Sequence, residues 1–324
     1  MSLILILVVA LGSLFIGVYE FESSPVTIIK NSIFNSNVIA ATDAYILFDL
    51  RLPRIVMGVL IGSMLAVSGT CMQGMFKNPL ATPDLIGITS GATLFAAIAI
   101  VLCGFLKAFL PENFHFYLLS IMSFLGSLVA TVSVYKIATV QGKTNVVIML
   151  LSGVAITAIG FAITGFLIYL AKEEELRDLT FWNLGSLASA TWYKNGILLV
   201  VMLLSYFFLL GKGKSLNAML LGENDAKHLG IPVEKIKKLI VVFTALMVGT
   251  SVAFAGTIGF VGLVIPYILR LIFKSNYQLI LPLSAIFGSI LLVIADTFSR
   301  TIVAPSEIPI GIITAILGAP VFIL

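Results

Sequence analysis

The residues of this 324-residue chain that could do chemistry are few, and their spacing argues against most of it. Histidine occurs twice, at His115 and His228, both near expected loops. That leaves no pair for a histidine metal site or a histidine-dependent acid–base mechanism. Cys71 and Cys103 fall inside apolar segments and match neither metal-ligand nor redox spacing, so both read as buried small side chains. The stretch GKGKS at 211–215 suggests a phosphate-binding loop, but that pattern needs glycine at 208, where Phe208 stands, and no strand precedes it. No ATPase is therefore expected in this chain. Asp296, with Arg300 four residues on, is the best candidate for an ionisable group within an apolar run. An acid inside a span is costly and invites a proton-relay reading; an i,i+4 ion pair at a helix end explains the same two residues without one. Neither a catalytic residue nor a metal site is expected.

Composition sets the elements that must carry these residues. Apolar residues make up 60% of the chain and charged residues 10%, and the mean hydropathy is +1.14. A membrane helix needs about 20 apolar residues to match a hydrocarbon core of roughly 30 Å. Ten runs fit, near 1–19, 54–75, 86–103, 116–137, 145–171, 192–211, 238–256, 258–274, 278–299 and 308–324. Barrel strands would read as shorter alternating segments, whereas a helix satisfies its own backbone in lipid. The expected fold is an all-α polytopic membrane protein, about ten transmembrane helices in a single domain over 1–324. The first run, Met1 to Tyr19, has no basic residue before it and no small-residue cleavage site, so it reads as a retained span rather than a signal peptide.

Basic residues favour cytoplasmic flanks. With the N-terminus inside, eleven of the nineteen Lys and Arg residues fall on inner loops and span ends, most densely between Lys212 and Lys238. Both termini are then cytoplasmic. Gly58, Gly62, Ala66 and Gly69 share one helical ridge suited to close packing in lipid. A faint echo between AVSGT at 66–70 and AFAGT at 253–257 is what an inverted repeat would leave.

Two polar interruptions stand out. MQGMFKNPLATPDLIGITSGA at 72–92 places Asn78, Pro79 and Pro83 in a chain otherwise mostly apolar. Proline prevents a continuous helix, and the freed backbone is tolerable where it faces a water-filled path; a plain helix–helix turn is the competing explanation. MLLGENDAKHLGIPVEKIKK at 219–238 holds a short capped helix-like stretch between apolar spans, read either as a solvated connection or as a helix lying on the cytoplasmic face against a partner.

Four segments, RLPRIVMGVLIGSMLAVSGTCMQGMFKNPLATPDLIGITSGA (51–92), LLGENDAKHLGIP (220–232), AGTIGFVGLVIPYILRL (255–271) and EIPIGIITAILGAP (307–320), resemble in order the permease subunits of type II ATP-binding cassette importers, the FecCD/BtuC-type family that takes up iron-siderophore complexes, heme and vitamin B12. The resemblance implies a homodimer with a translocation path at its axis, two cytoplasmic ATP-binding subunits that use ATP and Mg, and an extracytoplasmic substrate-binding protein. It implies no cofactor bound by this subunit, no nucleic-acid partner, and a place in the lipid bilayer of a bacterial or archaeal cytoplasmic (inner) membrane. Carried over residue by residue, Asn78, Pro79, Leu80 and Thr144 belong to the cytoplasmic gate. Gly222, Glu223, Ala226, Leu229 and Gly230 belong to coupling helices in the 212–238 loop that dock on the ATPase. Arg51, Arg54 and Arg300 receive acidic residues of the binding protein, a task suited to the planar guanidinium fork; anchoring at helix ends is the alternative.

This chain departs from the family at PYILR, where Tyr267 stands in place of a common histidine. Tyrosine keeps a hydrogen-bonding tip but carries no positive charge at neutral pH. The outer segment ELRDLTFWNLGSLASATW at 175–192 is more similar to heme-importing members, which puts heme ahead of a ferric siderophore or vitamin B12. Met64, Met72 and Met75 read as packing residues rather than iron ligands. The rival of another class is an ion-coupled secondary transporter; a receptor or scaffold without transport is a third reading.

Overall fold

The computed structural model describes residues 2–17, 19, 41–102 and 117–322, so Cys103 and His115 lie outside the described residues. Helix α1 is Ser2–Phe15. A short helix α2, Ala41–Tyr45, runs through a π-helical segment, Ile46–Arg51, into α3, Leu52–Phe76. Pro53 falls where the helical run continues from the π segment, so its ring removes a backbone donor there, and the Phe48 carbonyl one turn back accepts from Trp192 Nε1 at 2.9 Å. A 3-10 turn, Pro83–Ile86, leads into α4, Ile88–Val101. Helix α5, Leu118–Ala138, is followed by strands β1, Thr139–Val140, and β2, Lys143–Thr144. They pair antiparallel, Thr139 with Thr144 and Val140 with Lys143. Gln141 and Gly142 between them both have positive φ, the geometry of a two-residue hairpin turn.

Asn145 caps α6, Val146–Leu170, by accepting from the Val147 and Ile148 N–H groups. The expected outer loop at 175–192 is largely helical: α7 spans Glu173–Leu184, with three acids in its first turn and the Glu175 carboxylate accepting from the Lys172 N–H at 2.9 Å. Then come α8, Trp192–Leu209, and a 3-10 turn, Leu210–Lys212. The expected 212–238 loop holds two short helices, α9, Gly213–Leu221, and α10, Glu223–His228; its last six residues already belong to α11, Val233–Ala255. Helices α12, Val261–Phe273, α13, Tyr277–Ser299, and α14, Ile310–Gly318, complete the bundle, with a 3-10 tail at Ala319–Phe322.

Among the described residues six helices are long and apolar enough to cross a membrane, and four shorter apolar helices bring the number to ten, one for each expected run. Two of the shorter ones are instructive. Helices α4 and α12, of 14 and 13 residues, rise only about 20 Å each. Both start abruptly, α4 after Gly87 at φ 76° and α12 after Phe260 at φ 66°. The remaining depth at each place is irregular backbone, tolerated where protein or a water-filled cavity surrounds it.

Buried α3 is the spine, and α13 runs antiparallel along it. Gly74 lies against Tyr277, Gly62 against Gly288, and Arg54 against Asp296. At the middle contact a Cβ on either glycine would sit 2.3 Å from the other's carbonyl oxygen. Backbones meet there directly, and dispersion between them replaces the hydrophobic drive that lipid cannot supply. The ridge of small residues is therefore a packing surface: Gly58 faces Leu187 and Val293, and Gly69 meets the Gly262 backbone. The 66–70 and 253–257 stretches do not share a conformation. Gly69 is mid-helix, whereas Gly256 ends α11 at φ 71°, so the echo does not mark equivalent positions.

Candidate functional site

The 25 residues of α3 rise about 37 Å, so Arg54 and Asn78 lie at opposite ends of the bundle. The Asn78 end carries the gate and coupling candidates. Helix α3 stops because Lys77 turns left-handed at φ 52° and returns its N–H to Gln73. Asn78 then makes a local turn, its Oδ1 accepting from Leu80 N at 2.9 Å and its carbonyl from Ala81 N at 3.1 Å. Residues 77–80 are all exposed, Leu80 among them, while Ala81 is buried. The turn thus presents an unpartnered leucine and a proline at the tip of the central helix. Next along the chain, the 83–86 turn packs on α6, where Gly153 admits the Leu85 carbonyl.

Thr144, the other gate candidate, is buried on β2, and both of its backbone polar groups are held by the start of α11. Its N–H donates to Glu234 Oε2 at 2.8 Å, and its carbonyl accepts from Lys237 Nζ at 2.8 Å. Lys237 also lies 2.7 Å from Glu223 Oε1 on α10 and 3.4 Å from Glu234 Oε1. All three donors of the buried ammonium are thereby matched by oxygens. Helix α3, which leads into the Asn78 turn, and β2, which carries Thr144, both pack on α11, and each residue is held by its own partners.

The coupling motif is shaped by two glycines. Gly222, at φ 146°, separates α9 from α10, and Gly230, at φ 79°, follows α10. Ala226 is fully buried and serves the motif from inside, whereas Leu221 and Leu229 are 71% and 63% exposed. The two exposed leucines flank α10, one on each side of it.

At the opposite end the three arginines are engaged within the chain. Arg51 donates to the Leu14 and Tyr19 carbonyls at 2.7 and 2.8 Å. Arg300 donates to Ser13, at its carbonyl and its hydroxyl. Arg54 bridges two carboxylates, Asp296 at 2.9 Å and Glu307 at 2.7 Å. Asp296 is nearly sealed from solvent while Glu307 is 41% exposed, so only the outer half of this cluster is open to a partner. The expected i,i+4 pair is present in longer form, Arg300 Nε to Asp296 at 3.6 Å; the tighter partner of Asp296 is Arg54, 242 residues away.

Between the two ends a cleft of about 160 Å³ lies where both helix breaks face each other, lined by Thr82, Asp84, Thr89, Thr257, Phe260 and Gly262 among others. Thr89 donates to Asp84. Asp84 is exposed to solvent through the cleft. Tyr267, half-buried on α12, follows Pro266 within the helix. Three residues on, Arg270 donates to Gln73 at 2.9 Å and to the Tyr277 hydroxyl at 2.6 Å, tying α12 to α3 and α13. Lys237, Glu234 and Glu307 were not singled out by sequence reasoning. Each is one charged residue among several in its segment, and only a partner distant in sequence distinguishes it.

The arrangement holds no nucleophile–base pair, and no cluster of metal-ligating side chains exists among the described residues. It brings exposed side chains to both ends and sets broken helices around a cleft between them. Comparison with known proteins agrees. The profile of the FecCD transport family matches residues 4–324. The hemin transport system permease protein HmuU of Yersinia pestis is 36% identical over 99% of this chain and 92% of its own. The vitamin B12 import system permease protein BtuC of Vibrio parahaemolyticus is 40% identical over 86% of this chain and 81% of its own. The solved inward-facing structure of a metal-chelate type ABC transporter superposes with a TM-score of 0.84 at 30% identity, over 99% of this chain and 96% of that one. The chain belongs to the FecCD transport family, as a multi-pass, non-catalytic permease subunit of an ABC importer for iron chelates, heme or vitamin B12 that works with an ATPase and a binding protein.

Proposed function

We propose that two copies of this chain form the translocation path for heme into the cytoplasm, driven by two ATPase subunits and fed by an extracytoplasmic binding protein. The Asn78 end, with both termini, faces the cytoplasm of a bacterial or archaeal cell. Asn78, Pro79, Leu80 and Thr144 close the path there. The α9–α10 unit meets the ATPase through Glu223, Leu229 and the turns at Gly222 and Gly230, with Ala226 packing it from within. The binding protein docks at the other end on Arg54, with Arg51 and Arg300 holding the surface in shape.

The observation that carries the choice of heme lies on α7. Arg177 and Phe181, one turn apart, are both exposed, Phe181 at 60%. A flat aromatic macrocycle with carboxylate side groups is matched by an aromatic face beside a guanidinium. The near-full-length likeness to a hemin permease supports the same reading. The 40% identity to a vitamin B12 permease favours cobalamin as the second reading. Uptake of heme, ferric siderophore and cobalamin, measured in parallel in iron-starved host cells with the gene intact or deleted, separates them. Selective loss of heme uptake is expected. Loss of cobalamin or siderophore uptake alone overturns the choice of heme and leaves the importer standing. Asn78→Ala with unchanged uptake would remove the turn at 78–80 from the gate.

A further inference from the structure

We propose that Lys237 is the positioning residue that ties the ATPase-contacting helix α10 to the gate at Thr144, so that a displacement of one is passed to the other. The inference rests on the importer reading above. Three elements meet at one buried ammonium: α10 through Glu223 at 2.7 Å, the first turn of α11 through Glu234 at 3.4 Å, and the β1–β2 hairpin through the Thr144 carbonyl at 2.8 Å. Glu234 closes the loop by taking the Thr144 N–H on its other oxygen at 2.8 Å. With both backbone groups of Thr144 gripped, the hairpin follows the start of α11. The hairpin is short and enters α6 directly through the Asn145 cap, so it has little slack to absorb motion.

Burial sets Lys237 apart from its neighbours. Lys235 and Lys238, on the same turn, are exposed, whereas Lys237 is fully buried. An ammonium taken out of water is held only by well-placed oxygens, so the arrangement has two states, engaged or broken, rather than a soft continuum. Glu223 and Glu234 remain about a third exposed, which leaves them free to change partners when an ATPase subunit presses on α10.

The test uses the complete complex of permease, ATPase subunits and binding protein in proteoliposomes, with heme as the probe, or cobalamin or a ferric siderophore if the wild type takes up one of those instead. ATP hydrolysis and uptake are measured together. In Lys237→Met the expected result is ATP hydrolysis within about twofold of wild type and uptake per ATP lowered about tenfold, a coupling loss of ordinary size. Glu234→Ala, which removes a partly exposed residue and frees the Thr144 N–H, lowers the same ratio by a smaller factor. Lys235→Met changes neither quantity. Unchanged uptake per ATP in Lys237→Met overturns the inference. So does a Lys237→Met complex that fails to assemble while Glu234→Ala keeps the wild-type ratio, because Lys237 is then a packing residue only. A wild-type complex without ATP-dependent uptake overturns the importer reading, and this inference with it.

Discussion

Arg54 Nε donates to both oxygens of Asp296, at 2.9 and 3.1 Å, across 242 residues of sequence. The pair pins the start of α3 to the end of α13, and the remaining guanidinium nitrogens of Arg54 hold Glu307 at 2.7 and 3.0 Å. Asp296→Ala leaves a mostly buried guanidinium with one carboxylate where it had two. Its expected cost is about 3 kcal/mol, the low end for breaking a buried pair because Glu307 remains. Denaturation of the detergent-solubilised protein measures it, and a loss under about 1 kcal/mol would mean the pair is not structural.

On the docking proposal, Glu307 and the binding protein compete for the Arg54 guanidinium. If Arg54 receives a carboxylate of the binding protein, Arg54→Ala weakens association about tenfold, or 1.4 kcal/mol, while Glu307→Ala leaves it unchanged or tightens it. Surface plasmon resonance with immobilised binding protein checks both. Equal weakening by the two variants would show that the cluster shapes the surface without contacting the partner.

Leu221 and Leu229 stand out of the α9–α10 unit with most of their surface in solvent. Burying a leucine side chain contributes about 1.5–3 kcal/mol. Leu229→Ser is therefore expected to weaken ATPase association at least about tenfold, with helical content and thermal stability of the isolated permease unchanged. Co-purification at graded ATPase concentration reads the effect, and undiminished binding would move the ATPase contact elsewhere.

The Gly62–Gly288 crossing tolerates no added atom. Gly62→Ala places a methyl 2.3 Å from the Gly288 carbonyl, and the forced separation of α3 from α13 costs about 1–3 kcal/mol or more. Gly165→Ala is the internal control: its Cβ meets nothing within 4 Å, so the gain in helix propensity makes it neutral to slightly stabilising. Thermal stability of the two purified variants should diverge in these directions. Matched losses would place the sensitivity in α-helical glycine generally rather than in this contact.

Much of the architecture was legible in the residues because lipid leaves a chain few choices. Ten apolar runs became ten apolar helices, since a backbone in hydrocarbon must satisfy itself within each run. The turn at Asn78 and Pro79 and the glycine breaks at Gly222 and Gly230 were legible for a similar reason: proline and glycine act locally, through dihedral limits that hold whatever surrounds them. The family motifs lie on these same local signals, which is why they could be matched residue by residue.

Partnership was not legible, because it joins residues far apart in the chain. Asp296 and Arg300 pointed to each other by spacing, yet the closer partner of Asp296 is Arg54, delivered by the antiparallel course of α3 and α13. Lys237 was one lysine in a basic cluster until burial against Thr144 and Glu223 separated it from Lys235 and Lys238. Which elements form followed from sequence alone, through periodicity, apolar length and backbone limits. Which charges meet was decided in the folded chain, where desolvation makes one partner out of many worth having.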